Sequence, residues 1–170
     1  MDNERQARIE SVRIMVEYNW MYLHQVYLAA SAKLGENGMQ AIAAGIRRHG
    51  RYRGDYIRSS AEGCARGRDA MALMCAWDTA ELPLASAGDV LDVGGDARQA
   101  TVSLEWVPGS EYFEGKDSAS VLAIYWTELL AGVSMGYDEG LSIFCGPLSE
   151  PGAAPWTITL SFSGDVSQSN

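Results

Sequence analysis

Histidine is almost missing from this sequence: His24 and His49 are the two in 170 residues. Cysteine is scarce too, with Cys64, Cys75 and Cys145 odd in number and free of CxxC spacing. These shortages argue against a structural zinc site, a disulfide framework or any metal centre, and they suit reduced thiols in a cytoplasm. Proline is absent from the first 82 residues, and all five prolines come later. No apolar run approaches the ~20 residues of a membrane span, and the charged start MDNERQARIE does not read as a signal peptide. There is no G-x-S-x-G, no H-E-x-x-H and no P-loop, and Gly94-Gly95 lacks the helix that a dinucleotide fingerprint requires. No cofactor is expected.

Basic residues are the last shortage. Residues 69–170 hold two Lys/Arg against fifteen Asp/Glu, net −13, whereas residues 1–68 hold eleven against seven, net +4. A total of −9 speaks against a nucleic-acid partner and an anionic membrane, because both select positive surfaces. What is present is ordinary for a globular chain: 47% hydrophobic and 21% charged residues. The length suits one domain, taken as residues 1–164 with a polar tail at 165–170.

The order of patterns predicts an α+β fold, with long N-terminal helices packed on a small antiparallel sheet and a further helix between strands. Helix one is expected from about Asn3 to Lys33, with Ile9, Val12, Val16, Trp20, Leu23, Tyr27 and Leu34 on one stripe. Ile14, Met15, Tyr18, Met21 and Tyr22 lie off that stripe, more apolar surface than one core face uses, which predicts a homodimer. Gly35 and Gly38 separate helix one from helix two, expected from Glu36 or Met39 to Ser60. Gly45, Gly50 and Gly54 within it imply close helix packing or a break near Gly50. A shorter helix is expected at Arg68–Trp77, then a turn-rich stretch to Ala100. Strands are expected at Ala100–Val107, Leu141–Cys145 and Trp156–Phe162, and a helix from Asp117 or Ser118 to Val133.

Arg53 breaks the pattern of helix two. Met39, Ile42, Ile46, Ile57 and Cys64 share one stripe, and Arg47, Arg48, Arg51 and Arg58 fall on the other side. Arg53 falls in the middle of the stripe, with His49 on its shoulder and Tyr56 nearby. A guanidinium keeps its charge, so burial demands a carboxylate partner, either from the protein or from a ligand. On helix one, Glu17 and His24 share a sector beside the apolar stripe, where His24 is either a satisfied surface histidine or a site residue. Glu105 lies on the hydroxyl-rich face of the strands, with Thr101, Ser103, Thr157, Thr159 and Ser161. That face is either solvent-exposed or the wall of a pocket. Glu128 lies beside Tyr125 on the last helix, at the edge of its apolar face. The candidate catalytic residues are therefore His49, Glu105, Glu17 and Glu128, and the candidate substrate-binding residues are Arg53, Tyr56, Tyr125 and His24.

The run Arg47-Arg48-His49-Gly50-Arg51-Tyr52-Arg53-Gly54, inside GENGMQAIAAGIRRHGRYRGDYIR, resembles the L-2-amino-thiazoline-4-carboxylate hydrolase family. The order of elements is similar as well, and Gly136-Tyr137-Asp138 resembles that family's Gly-Phe-Asn turn. The chain departs from the family at its later cysteines, with Val107-Pro108, Tyr125-Trp126 and Thr157 at those places. The resemblance implies a cofactor-free step on a small carboxylate-bearing heterocycle. Water adds to a cyclic amidine carbon and the ring C–N bond breaks, or the reverse reaction closes a ring. Such a step needs a base (His49 or Glu105), an acid (Glu17 or Glu128) and a cation for the carboxylate (Arg53). The loss of the cysteines points to a relative recruited into natural-product metabolism. The alternative is a non-catalytic module that binds a small ligand on the same scaffold.

Overall fold

The computed structural model describes residues 2–60, 67–74, 90–104, 116–146 and 156–164, excluding the side chains of 2–13, 15–17, 90 and 116–120. The elements run α1 (Asp2–Leu34), α2 (Glu36–Ser59), β1 (Val90–Gly95), β2 (Gln99–Leu104), α3 (Lys116–Tyr137), β3 (Leu141–Gly146) and β4 (Trp156–Phe162). The fold is α+β, with one antiparallel sheet in the order β1-β2-β4-β3.

Alternation in β2 and β4 builds one dry sheet face. Ala100 pairs with Leu160, Val102 with Ile158 and Leu104 with Trp156, and all six are buried. Against them lie Leu122, Trp126, Leu129, Leu130, Val133 and Tyr137 of α3, together with Ala70, Leu73 and Met74. The opposite face carries the half-exposed hydroxyl residues, and across it Thr101 and Thr159 share a hydrogen bond of 3.1 Å between their Oγ1 atoms. Thr157 Oγ1 donates to the Gly146 carbonyl at 2.8 Å. These hydroxyls satisfy one another or the backbone, as on a solvent-facing sheet surface. Glu105 lies outside the described residues.

Two glycine pairs set the helix layer. Gly50 and Gly54 of α2 meet Gly132 and Gly136 of α3, with the two helices running in the same direction. A Cβ at Gly50 would overlap the Leu129 carbonyl oxygen and stand 3.1 Å from Gly132 Cα. Backbone touches backbone here. α2 is continuous through Gly50, so its glycines serve close packing rather than a break. α3 in turn lies along β3, and α1 folds back on α2 after Gly35, whose φ is +55°. Trp20 is buried and Ile46 is half-buried.

Several boundaries differ from the sequence expectation. α3 runs a turn past Val133 to Tyr137, because Gly136 is part of the seam with α2 rather than a helix stop. β1 occupies part of the stretch read as turns, and Asp96 ties its hairpin by accepting from Arg98 N at 2.7 Å and Gln99 N at 3.0 Å. The short helix starts later than Arg68, after Asp69, whose Oδ1 accepts from Ala72 N at 2.9 Å as an N-cap. Arg68 acts as a clasp instead. Its Nη2 donates to the Ser163 carbonyl at 3.0 Å and lies 3.1 Å from Asp138 Oδ1, and its guanidinium sits over Phe162. The Gly146-Pro147 and Pro151-Gly152 turns fall largely outside the described residues, as does the tail at 165–170. No helix among the described residues is long and apolar enough to cross a membrane.

Candidate functional site

An aromatic chain links α1 and α3 to the sheet. Trp20 of α1 meets Tyr125 of α3 edge-on at 4.6 Å between ring centroids. Tyr125 meets Trp126 at 5.2 Å and 88°, and Trp126 meets Trp156 of β4 at 5.2 Å. Edge-to-face geometry at these distances adds dispersion and quadrupole attraction to simple burial. His24 follows Trp20 by one helical turn, is half-buried, and has its Nε2 shielded from solvent. Arg53 reaches the same neighbourhood from α2, half-buried, and its charge acts on the Tyr125 phenol. The structure therefore brings Arg53 and Tyr125 together, with His24 one turn along α1 from Trp20.

The chemistry of this cluster is that of donors. Burial pushes the Tyr125 phenol above the usual tyrosine value, and the Arg53 charge opposes part of that rise. The phenol stays protonated at neutral pH. Trp156 is 1% exposed, and its Nε1–H finds no acceptor among the described residues. A buried donor left unmatched costs about 1–3 kcal/mol. A guanidinium beside a phenol and aromatic faces suits a flat ligand that carries acceptor oxygens.

Other candidates stand elsewhere. His49 is exposed and Tyr56 is 52% exposed, so neither borders the buried cluster. The reason lies in the glycines. The buried stripe of α2 centres on Gly50, Gly54 and Ile57, which turns it away from His49 and leaves Arg53 on its flank. Arg53 is accordingly half-buried, not the fully buried centre of the stripe. Glu128 is 17% exposed and bonded to Arg47, whose Nε donates to its Oε2 at 2.6 Å. The seam sets Arg47 beside Glu128 of α3 while its side chain remains exposed. With Arg47 52% exposed, the pair is worth at most about 1 kcal/mol. The Glu17 side chain and all of Glu105 lie outside the described residues. Among the described residues no group of His, Cys, Asp and Glu is arranged to hold a metal ion.

Trp126 and Trp156 are the members of the aromatic cluster that the sequence did not single out. Trp156 opens the inward-facing register of β4, a signal of core and not of ligand. Tyr125 supplies a direct test of the electrostatics. Its raised pKa means that the unfolded chain releases the phenolic proton first, so stability falls as pH climbs past 10.0. Cys145, also raised by burial, adds a similar fall beginning nearer 9.0. Tyr125→Phe should flatten the upper part of this decline, read from urea midpoints between about pH 8 and 11. An identical alkaline slope in the variant would mean that the phenol is solvated.

No protein-family model matches this chain. No curated protein matches it either.

Proposed function

We propose that this chain is a cofactor-free enzyme that binds a small, flat, carboxylate-bearing heterocycle and acts on one of its C–N bonds. The observation that carries the proposal is the half-buried Arg53, whose charge acts on a buried phenol inside an aromatic cluster. A fixed cation at the edge of a low-polarity site favours a ligand carboxylate, and the aromatic faces favour the ring. His24, one turn along α1 from Trp20, is the candidate base, and Glu17 and Glu105 remain the carboxylate candidates for proton transfer. Ring-opening hydrolysis and the reverse cyclisation make the same demands on these groups. The setting would be small-molecule or natural-product metabolism in a cytoplasm, with the chain working as a homodimer.

A second reading is that the site binds its ligand without turnover. It is favoured by the solvent-facing His49 and Tyr56 and by the engagement of Glu128 with Arg47, which thin out the titratable groups at the cluster.

The test uses 2-aminothiazoline-4-carboxylate and small cyclic amino acids in thermal-shift and calorimetric titrations, with product followed by NMR. Stabilisation with appearance of a ring-opened product whose ring nitrogen has become a free amine supports the enzyme, and stabilisation without product supports the binder. No stabilisation at millimolar ligand by any of them would remove both. Arg53→Met keeps the volume and drops the charge. It should remain folded and weaken ligand affinity by about tenfold or more, the worth of one charge-assisted hydrogen bond. Unchanged affinity would take Arg53 out of the site.

A further inference from the structure

The described part of α1 carries apolar side chains on two opposite sides, and the fold uses one of them. Trp20, Leu23 and Tyr27 pack with the core. Ile14, Tyr18, Met21 and Leu28 point away, 42%, 67%, 50% and 37% exposed, with Tyr22 beside them at 72%. Gln25 fills the gap in this stripe and is exposed as well. From Ile14 through Gln25 to Leu28 the steps are four, three, four and three residues. That is the heptad spacing of helices that pair lengthwise, with apolar residues at one seam position and Tyr18 and Gln25 at the other. The stripe is about 20 Å long.

We propose that this stripe is where two copies of the chain pair along α1 across a two-fold axis. The proposal rests on the homodimer reading above and gives that dimer its surface. Charge favours a second copy as the occupant. The chain carries a net −9, yet Tyr18 through Ala32 contains no Asp, Glu, Lys or Arg. Two such acidic molecules meet here with the least repulsion, and the segment offers none of the basic residues by which an interfacial helix holds a lipid surface. Area agrees. The five apolar side chains expose on the order of 500 Å², the upper end for the largest patch on a monomer. With the exposed Gln25, Ala29 and Ala32 the face approaches the roughly 800 Å² per partner of a stable interface.

Sedimentation equilibrium on the full chain tests this. The wild type should be a dimer at micromolar concentration. The double variant Tyr18→Glu/Met21→Glu should weaken dimerisation by about a hundredfold or more while its far-UV circular dichroism stays unchanged, since both positions face solvent in one chain. Tyr18→Lys/Tyr22→Lys repeats the test with the opposite charge should the first variant fold poorly. Tyr52→Glu, at an exposed tyrosine on α2, should leave the dimer intact. A wild type that is monomeric throughout overturns the homodimer and this surface together. A dimer untouched by the α1 variants, or one broken by Tyr52→Glu alone, overturns the surface and leaves the homodimer standing.

Discussion

Gly132→Ala is expected to cost about 3 kcal/mol or more, although it adds a single methyl group. The Cβ would overlap the Arg47 carbonyl oxygen and stand 2.8 Å from Arg51 N and 2.9 Å from Gly50 Cα. All three are backbone atoms of α2, so no side chain can rotate away. Relief requires the two helices to separate, and separation loosens Leu129 and Val133 from the core as well. Gly50→Ala meets the same obstacle from the other side. Gly45→Ala supplies the contrast, since nothing lies within 4 Å of its Cβ position. In an exposed helix interior that change should stabilise by roughly 0.5–1 kcal/mol. Urea midpoints of the three variants should therefore move in opposite directions, with Gly132→Ala also lowering Tm by roughly 10 °C. A Gly132→Ala variant as stable as the wild type would refute the backbone-to-backbone seam.

Trp156→Ala is the second large effect, at about 3–5 kcal/mol, the usual range for emptying a buried aromatic position. Trp156 is buried in the first residue of β4, pairs with Leu104 on β2 and holds Trp126 at 5.2 Å. Its removal leaves a void between α3 and the sheet and unseats the inner end of the aromatic chain. Trp156→Phe should behave differently. Phenylalanine keeps most of the ring contact and removes an N–H that has no acceptor among the described residues. Loss of area and relief of the unmatched donor offset one another, so the change should stay within about 1 kcal/mol. Denaturant midpoints separate the two variants. If Trp156→Phe proves as damaging as Trp156→Ala, the indole nitrogen is hydrogen-bonded in the folded protein.

How much of this was legible beforehand depends on which kind of residue carried the signal. WTITLSF alternates strictly, and it became β4 over the expected residues, Trp156–Phe162. Val102 and Leu104 faced inward as their alternation requires. β1 was not legible, because VLDVGG shows no alternation and its glycines resemble a turn. It becomes a strand only through pairing with β2. The site was partly legible. Arg53 stood out as a cation among apolar residues, and it lies beside the aromatic cluster. His49 was misplaced by the same wheel, because a hydrophobicity wheel gives weight to isoleucine and none to glycine.

Local chemistry therefore determined the class of the fold: long helices, a small antiparallel sheet, and an arginine out of place. Periodicity of 3.6 or 2 is a property of neighbours along the chain, so the sequence holds it without help. Only the tertiary structure decided which side of α2 faces α3, since that depends on Gly50 meeting Gly132 across 82 positions of sequence. From that one contact follow the bond of Arg47 to Glu128, the exposure of His49 and the flank position of Arg53. Close packing rewards the absence of a side chain, and an absence leaves no hydrophobic pattern to read.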